Sequence, residues 1–203
     1  AFFDDDVTPI DDGFDVRRGR PLLEVEVGED WKAKFEYEFG VKSQGVRAAW
    51  IQWDGIDHLK VRAGNEIVPF GLDEMESSND IVFNERSIAS ALAPNYGTGL
   101  VVSGNGQLWD RMRFTLAGVV YTQPFGDADY DRHNSDHVSF ATRGTFAPIA
   151  SKEQVVQFGA SVEYRSVGGN NQWSVQRHPE TQLMPSLIGV TLSDVDSVTT
   201  FGF

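Results

Sequence analysis

The chain contains no cysteine. Disulfides, thiolate zinc sites, Fe–S clusters and cysteine nucleophiles are therefore all excluded. The absence also suits a protein that crosses an oxidising compartment. Basic residues are scarce: 17 Lys and Arg stand against 30 Asp and Glu, a net charge of −13. So little positive charge excludes a duplex nucleic-acid binder, which must replace phosphate counterions. No run approaches the roughly 18 apolar residues of a spanning helix. Ala1 is not followed by a charged-then-apolar leader, so the chain reads as mature, trimmed or a fragment. Its 203 residues are enough for one large domain or two small ones. A hydrophobic fraction of 40% is too high for disorder.

What is present is glycine, aromatics and alternation. Trp31 to Phe39 reads WKAKFEYEF, with Lys32, Lys34, Glu36 and Glu38 between apolar or aromatic residues. Period two over nine residues predicts a strand with one dry and one wet face. The same pattern recurs at Val16–Val27, His58–Ala63, Arg111–Tyr121, Val138–Phe146 and Val156–Arg165. It is less clean at Val46–Trp53, Gly97–Ser103 and Val198–Phe203. About nine strands are expected, broken at Gly28-Glu29-Asp30, Asp54-Gly55, Gly104-Asn105-Gly106 and Gly168-Gly169-Asn170-Asn171. Phe70 to Asn95 has no alternation and is too long for a hairpin turn; Ile88 to Leu92 fits one helical turn. A long ordered loop in a β protein is usually functional.

Alternation fits two architectures. In a soluble sandwich the dry faces pack together. In a transmembrane barrel they meet lipid and the wet faces line an aqueous lumen. Long strands, aromatics at strand ends (Trp31, Phe39, Trp53, Tyr121, Tyr164) and stripes of both charges favour the barrel. On that reading Lys32, Lys34, Glu36 and Glu38 face the lumen, while Ala33, Phe35 and Tyr37 face lipid or a neighbouring subunit. The alternative is a sandwich that binds or hydrolyses carbohydrate.

The sites with chemical content are few. Arg17-Arg18-Gly19-Arg20 stands out in so acidic a chain. It is either an anion ladder on a pore wall or charge balance for Glu24 and Glu26. Asp127, Asp129 and Asp131 begin like a calcium loop, but Arg132 holds the glycine position and Val138 the closing glutamate position. A solvated loop with weak calcium binding is expected, and a calcium-dependent adhesin is a third reading. His133 and His137 are four apart, a metal spacing only on a helix. Carboxylates alternating along one strand, such as Glu24 and Glu26, are neighbours rather than a facing acid pair. No catalytic residue, metal ligand or cofactor is expected.

One stretch carries a resemblance. FGLDEMESSNDIVFNERSIASALAPNYGTGL, Phe70 to Leu100, is similar to the phosphate-selective porins O and P of Gram-negative outer membranes, with Ser77-Ser78 and Glu85-Arg86 its most distinctive part. Arg17-Arg18, Asp30-Trp31-Lys32, the Arg143-Gly144-Thr145-Phe146-Ala147-Pro148 turn and the final DVDSVTTFGF also resemble that family, so the likeness runs from about Phe14 to Phe203.

The resemblance implies an outer-membrane antiparallel barrel of about sixteen strands, commonly trimeric, contacting lipid and lipopolysaccharide. It implies no enzyme activity and a passive pore for small anions, phosphate and polyphosphate among them. Residues 1–12 would be an acidic extension or loop and 13–203 the barrel portion, with 70–95 as an inward constriction loop. The implied anion contacts are Arg17, Arg18, Lys32 and Arg86, with Arg20 beside them. Two departures shape the expectation. Asn79 stands where phosphate-type members carry lysine, and Arg20 where they carry an aromatic residue, so a general anion preference is expected rather than strict phosphate selectivity. Nine strands cannot close such a barrel. The expected remedy is a longer protein or further chains. Half of the 30 carboxylates (six in Asp4–Asp15, five in Asp73–Glu85, four in Asp127–Asp136) lie outside the expected strand walls. Local field therefore outweighs total charge.

Overall fold

A computed structural model describes residues 19–39, 44–77, 80–83, 86–109, 111–125, 138–167, 171–177 and 188–203. Among them are eleven strands. They are β1 (Leu22–Val27), β2 (Trp31–Phe39), β3 (Gln44–Ile56), β4 (Leu59–Ile67), β5 (Tyr96–Leu108), β6 (Met112–Thr122), β7 (Ser139–Ala150), β8 (Val155–Ser166), β9 (Gln172–Arg177), β10 (Ile188–Ser193) and β11 (Ser197–Gly202). Nine form one antiparallel meander in the order β1 to β8, then β11; β9 and β10 form a separate ribbon. The nine are those that alternation identifies. The sheet is all-antiparallel and not closed, with β1 and β11 at its edges.

The two further strands lie between β8 and β11. Ser166 pairs with Ser197, and Gln172 pairs with Ser193. Between these pairings Val167 donates to the Asp196 carbonyl at 2.9 Å, and Val195 donates to the Asn171 carbonyl at 2.9 Å. The β9–β10 ribbon thus extends the β8–β11 pair past an irregular join.

Several expected breaks move. β3 continues through Asp54-Gly55 to Ile56, and the chain reverses at Asp57-His58, where His58 has a positive φ of 65°. Gly104-Asn105-Gly106 lies inside β5. Gly106 is needed there for space, since a Cβ would sit 2.3 Å from Cζ of Phe114 on β6. Arg143 to Pro148 is not a turn but the middle of β7. Its proline, which has no N–H for the ladder, coincides with the register shift between Phe146 and Ile149.

Burial is inverted relative to a water-soluble protein. Glu38, Arg47, Gln52, Asn65, Glu66 and Glu163 are buried, whereas Leu23, Phe35, Ile51, Leu116, Phe140 and Phe158 are exposed. The contrast within β2 is sharp: Glu38 is 1% exposed and Phe35, three residues earlier, 48%. Register explains why the faces stay separate. Glu36 pairs with Ala48, Lys34 with Trp50 and Lys32 with Gln52, so polar residues of neighbouring strands fall on one face. The opposite face aligns Phe35 with Ala49 and Ala33 with Ile51. On β6 to β8 the apolar face likewise aligns Phe114 with Phe146 and Phe146 with Phe158. Soluble monomers rarely expose so continuous an apolar surface, which marks a partner or a membrane.

The segment between β4 and β5 runs across the polar face. Val68 is buried with Val101 of β5, Val119 and Tyr121 of β6 and Ala141 of β7. Gly71, only three residues further on, is bonded to β7 and β8. Four strand spacings separate β4 from β8, roughly 19 Å along a flat sheet. A 3₁₀ turn, Ile88–Leu92, lies where the sequence suggested one helical turn.

Candidate functional site

The polar face holds a ladder of ion pairs whose placement follows from register. The β1–β2 hairpin pairs Glu26 with Lys32 and Glu24 with Lys34 across the strands. Lys32 Nζ lies 2.8 Å from Glu26, and Lys34 Nζ lies 3.3 Å from Glu24 and 3.2 Å from Glu36. At the far end of β2 a β-bulge intervenes. Tyr37 pairs with Val46 and Glu36 with Ala48, leaving Arg47 as the extra residue. A bulge re-aims a side chain. Here it turns Arg47 to the polar face, where Nε donates to Glu38 Oε2 at 2.6 Å. Arg20 Nη2 donates to the same oxygen at 2.8 Å. Glu38 is thus a buried carboxylate held by two guanidiniums, a charge-assisted arrangement that a lone buried charge would need.

Further pairs continue round the sheet. Arg62 bonds Gln52 at 2.6 Å and Glu66, and its guanidinium lies 4.1 Å above the Trp50 ring. That stacking uses the flat face of the guanidinium while its edge donates hydrogen bonds. On β6 and β8, Glu163 accepts from the Tyr121 hydroxyl and from Arg165 Nε at 3.0 Å. Tyr121 can lie here because Gly97 leaves it room; a Cβ at that position would sit 2.5 Å from the ring.

The crossing segment is braced from within. Ser87 donates through its backbone N–H and its hydroxyl to Asp73 Oδ2, at 2.9 and 2.7 Å. Arg86 donates through Nε to the Asp73 carbonyl and through Nη2 to the Glu76 carbonyl, both at 2.7 Å. Glu74 is 3.9 Å from its Nε.

The expected site residues therefore occupy different settings. Arg20 is tied to Glu38, Lys32 to Glu26, and Arg86 to segment carbonyls beside Glu74. Arg20 and Lys32 share the polar face but lie at opposite ends of β2, beside Glu38 and Glu26, and Arg86 sits on the segment that crosses that face. Arg17, Arg18, Ser78, Asn79 and Glu85 lie outside the described residues, as do the Asp127–Asp136 loop and His133, His137 and His178. Sequence reasoning did not single out Arg47, Arg62, Glu163 or Arg165, and it read Tyr121 as a strand-end aromatic at the membrane interface, whereas the structure buries it on the polar face against Glu163. Arg47 had one signal, the loss of alternation in Val46-Arg47-Ala48-Ala49. Among the described residues no group of three or more metal-ligating side chains is placed to hold an ion. No helix among them is long and apolar enough to cross a membrane, which says nothing of crossing by strands.

The family model described as phosphate-selective porin O and P matches residues 2–187. No curated protein matches the chain.

Proposed function

The chain belongs to the phosphate-selective porin O and P family, and from that premise we propose that it is part of the wall of a passive diffusion pore for small anions in the Gram-negative outer membrane. A porin is a channel rather than an enzyme. The observation that carries the reading is the inverted burial: charged residues such as Glu38 and Glu163 are covered, and Phe35, Leu116 and Phe158 are bare. In lipid the bare face is the favourable one, and a water-filled lumen solvates the other. The carbohydrate-binding sandwich requires the opposite, since its apolar faces must be buried against each other.

In this reading residues 13–203 are barrel wall, residues 70–95 narrow the lumen, and residues 1–12 are an acidic extension. Further strands pair with the edges at β1 and β11, because an open ladder in hydrocarbon costs several kcal/mol per unpaired group. Three copies associate through part of the apolar face, and the remainder meets lipid and lipopolysaccharide. Arg17, Arg18, Arg20, Lys32 and Arg86 are the cations offered to phosphate, polyphosphate or simpler anions.

Extraction and conductance test the proposal together. The protein should leave membranes only with detergent and, in planar bilayers, should conduct with a reversal potential favouring anions in a salt gradient. Full solubility in buffer alone would overturn the pore. A cation-favouring reversal potential would keep the pore and overturn the anion preference.

A further inference from the structure

The crossing segment meets the far wall at Phe70 and Gly71, with its 3₁₀ turn lying beside β9, and both backbone polar groups of Gly71 are satisfied there by side chains. Arg143 Nε on β7 donates to the Gly71 carbonyl at 2.7 Å. The Gly71 N–H donates to Ser161 Oγ on β8 at 3.1 Å. Ser161 Oγ in turn reaches the Gly202 carbonyl on β11 at 3.3 Å. The neighbouring Phe70 is buried, 4% exposed, against Gly202. A Cβ at Gly202 would lie 2.7 Å from Ser161 Oγ and 3.1 Å from the Phe70 ring. Gly71 itself has φ +58°, a left-handed conformation that glycine adopts without strain.

We propose that Arg143, Ser161 and Gly202 are positioning residues that clamp the 68–95 segment at Gly71 and so set the open cross-section of the pore. The proposal rests on the pore reading. Contacts 72 and 90 residues apart in sequence join the segment to β7 and β8, at the opposite end of its crossing from its root on β4. Arg143 has no carboxylate partner among the described residues. Its guanidinium is committed to a backbone carbonyl rather than to charge balance. The clamp therefore fixes where the segment lies, while its own bracing through Asp73, Ser87 and Arg86 fixes its shape.

Two measurements test this in the complete protein. The stretch from Phe70 to Asn95 holds a single trypsin site, Arg86. In detergent, wild type should resist cutting after Arg86, and Ser161→Ala and Gly202→Val should be cut quickly while the sheet stays intact. Ser161→Thr, which keeps the hydroxyl, should stay resistant. In planar bilayers, Ser161→Ala, Gly202→Val and Arg143→Lys should lose the single quiet conductance level and flicker between sublevels. Their reversal potential should not move, because no charge has changed. Wild-type resistance and wild-type conductance in Ser161→Ala and Gly202→Val would overturn the clamp. Wild-type protein that forms no channel would overturn the pore, and the trypsin comparison would still judge the clamp.

Discussion

Replacing Glu38 with glutamine removes one negative charge and keeps nearly the same shape. Glu38 accepts from Arg20 at 2.8 Å and from Arg47 at 2.6 Å. The three side chains carry a net charge of +1, which becomes +2 in Glu38→Gln. Two costs and effects follow. Taking the carboxylate from a buried pair costs about 3–5 kcal/mol, because the remaining charge is left uncompensated. The low end applies, since the Arg20 side chain is 30% exposed and water can take up part of its charge. A domain with about 5–15 kcal/mol of stability survives that loss. The added charge also acts on a passing ion. At about 8 Å in water, before screening, it favours an anion by about 0.5 kcal/mol and disfavours a cation by as much, so the anion-to-cation preference changes by about 1 kcal/mol, roughly fivefold. The assay is the reversal potential across a potassium chloride gradient. The shift should be clear near 0.1 M salt and nearly absent near 1 M, where the screening length falls from about 10 Å to about 3 Å. Glu38→Gln combined with Arg47→Gln returns the cluster to +1 and should restore the original potential. An unmoved potential at low salt, in a variant whose barrel is intact, would refute the placement of this cluster on the lumen wall.

Two other substitutions test the faces and the segment. Leu116, 60% exposed in the middle of β6, should tolerate lysine poorly: a charge at the lipid midplane costs about 2–4 kcal/mol. Lysine at the adjacent Thr115, on the polar face, should assemble normally; heat-resistant migration on gels reads both, and equal behaviour would reverse the face assignment. Arg86→Glu removes donors from the Asp73 and Glu76 carbonyls and puts a carboxylate beside Glu74. The expected result is a reversal potential shifted toward cations. An unchanged potential with an intact barrel would make Arg86 a brace and nothing more.

Strands were the most legible part of the chain because a two-faced strand writes its period directly into sequence. WKAKFEYEF is β2 from end to end. Turns were read less well. Glycine marks a reversal only when its φ or its mobility is what the site needs. At Gly106 it supplies space for the Phe114 ring, and the chain runs straight on. His58 and Trp109, with φ of 65° and 58°, make reversals without glycine at those positions. The β9–β10 ribbon was missed because QWSVQR and IGVTLS are short and neither repeats a charged alternation. The crossing segment was legible as an exception to the period, and its place across the polar face follows from contacts 72 and 90 residues away that no local pattern encodes.

The candidate site was less legible than the fold for a reason that lies in register. Counting residues gives the charges on a strand but not which charges oppose each other. The Gly28-Glu29-Asp30 turn sets Glu26 against Lys32 and Glu24 against Lys34. One more residue in that turn would offset the pairing and move a partner set to the other face. The bulge at Arg47 has the same kind of consequence, converting an outward position into the second guanidinium on Glu38. On the polar face of β1 to β3 and the stretch just before them, Arg20, Lys32, Lys34 and Arg47 meet Glu24, Glu26, Glu36 and Glu38, and Asp54 adds a fifth carboxylate beside Gln52. That stretch carries one carboxylate more than it has cations, and how far each pair leans into the passage adds to that excess. Glu24 and Glu26 have side chains 58% and 69% exposed, more open than Lys34 at 22% and Lys32 at 41%. At this end of the wall the carboxylates, not the lysines, are the more accessible partners. A net anion preference must then come from cations elsewhere, which makes the Arg17 and Arg18 pair and Arg86 the decisive positions among those proposed.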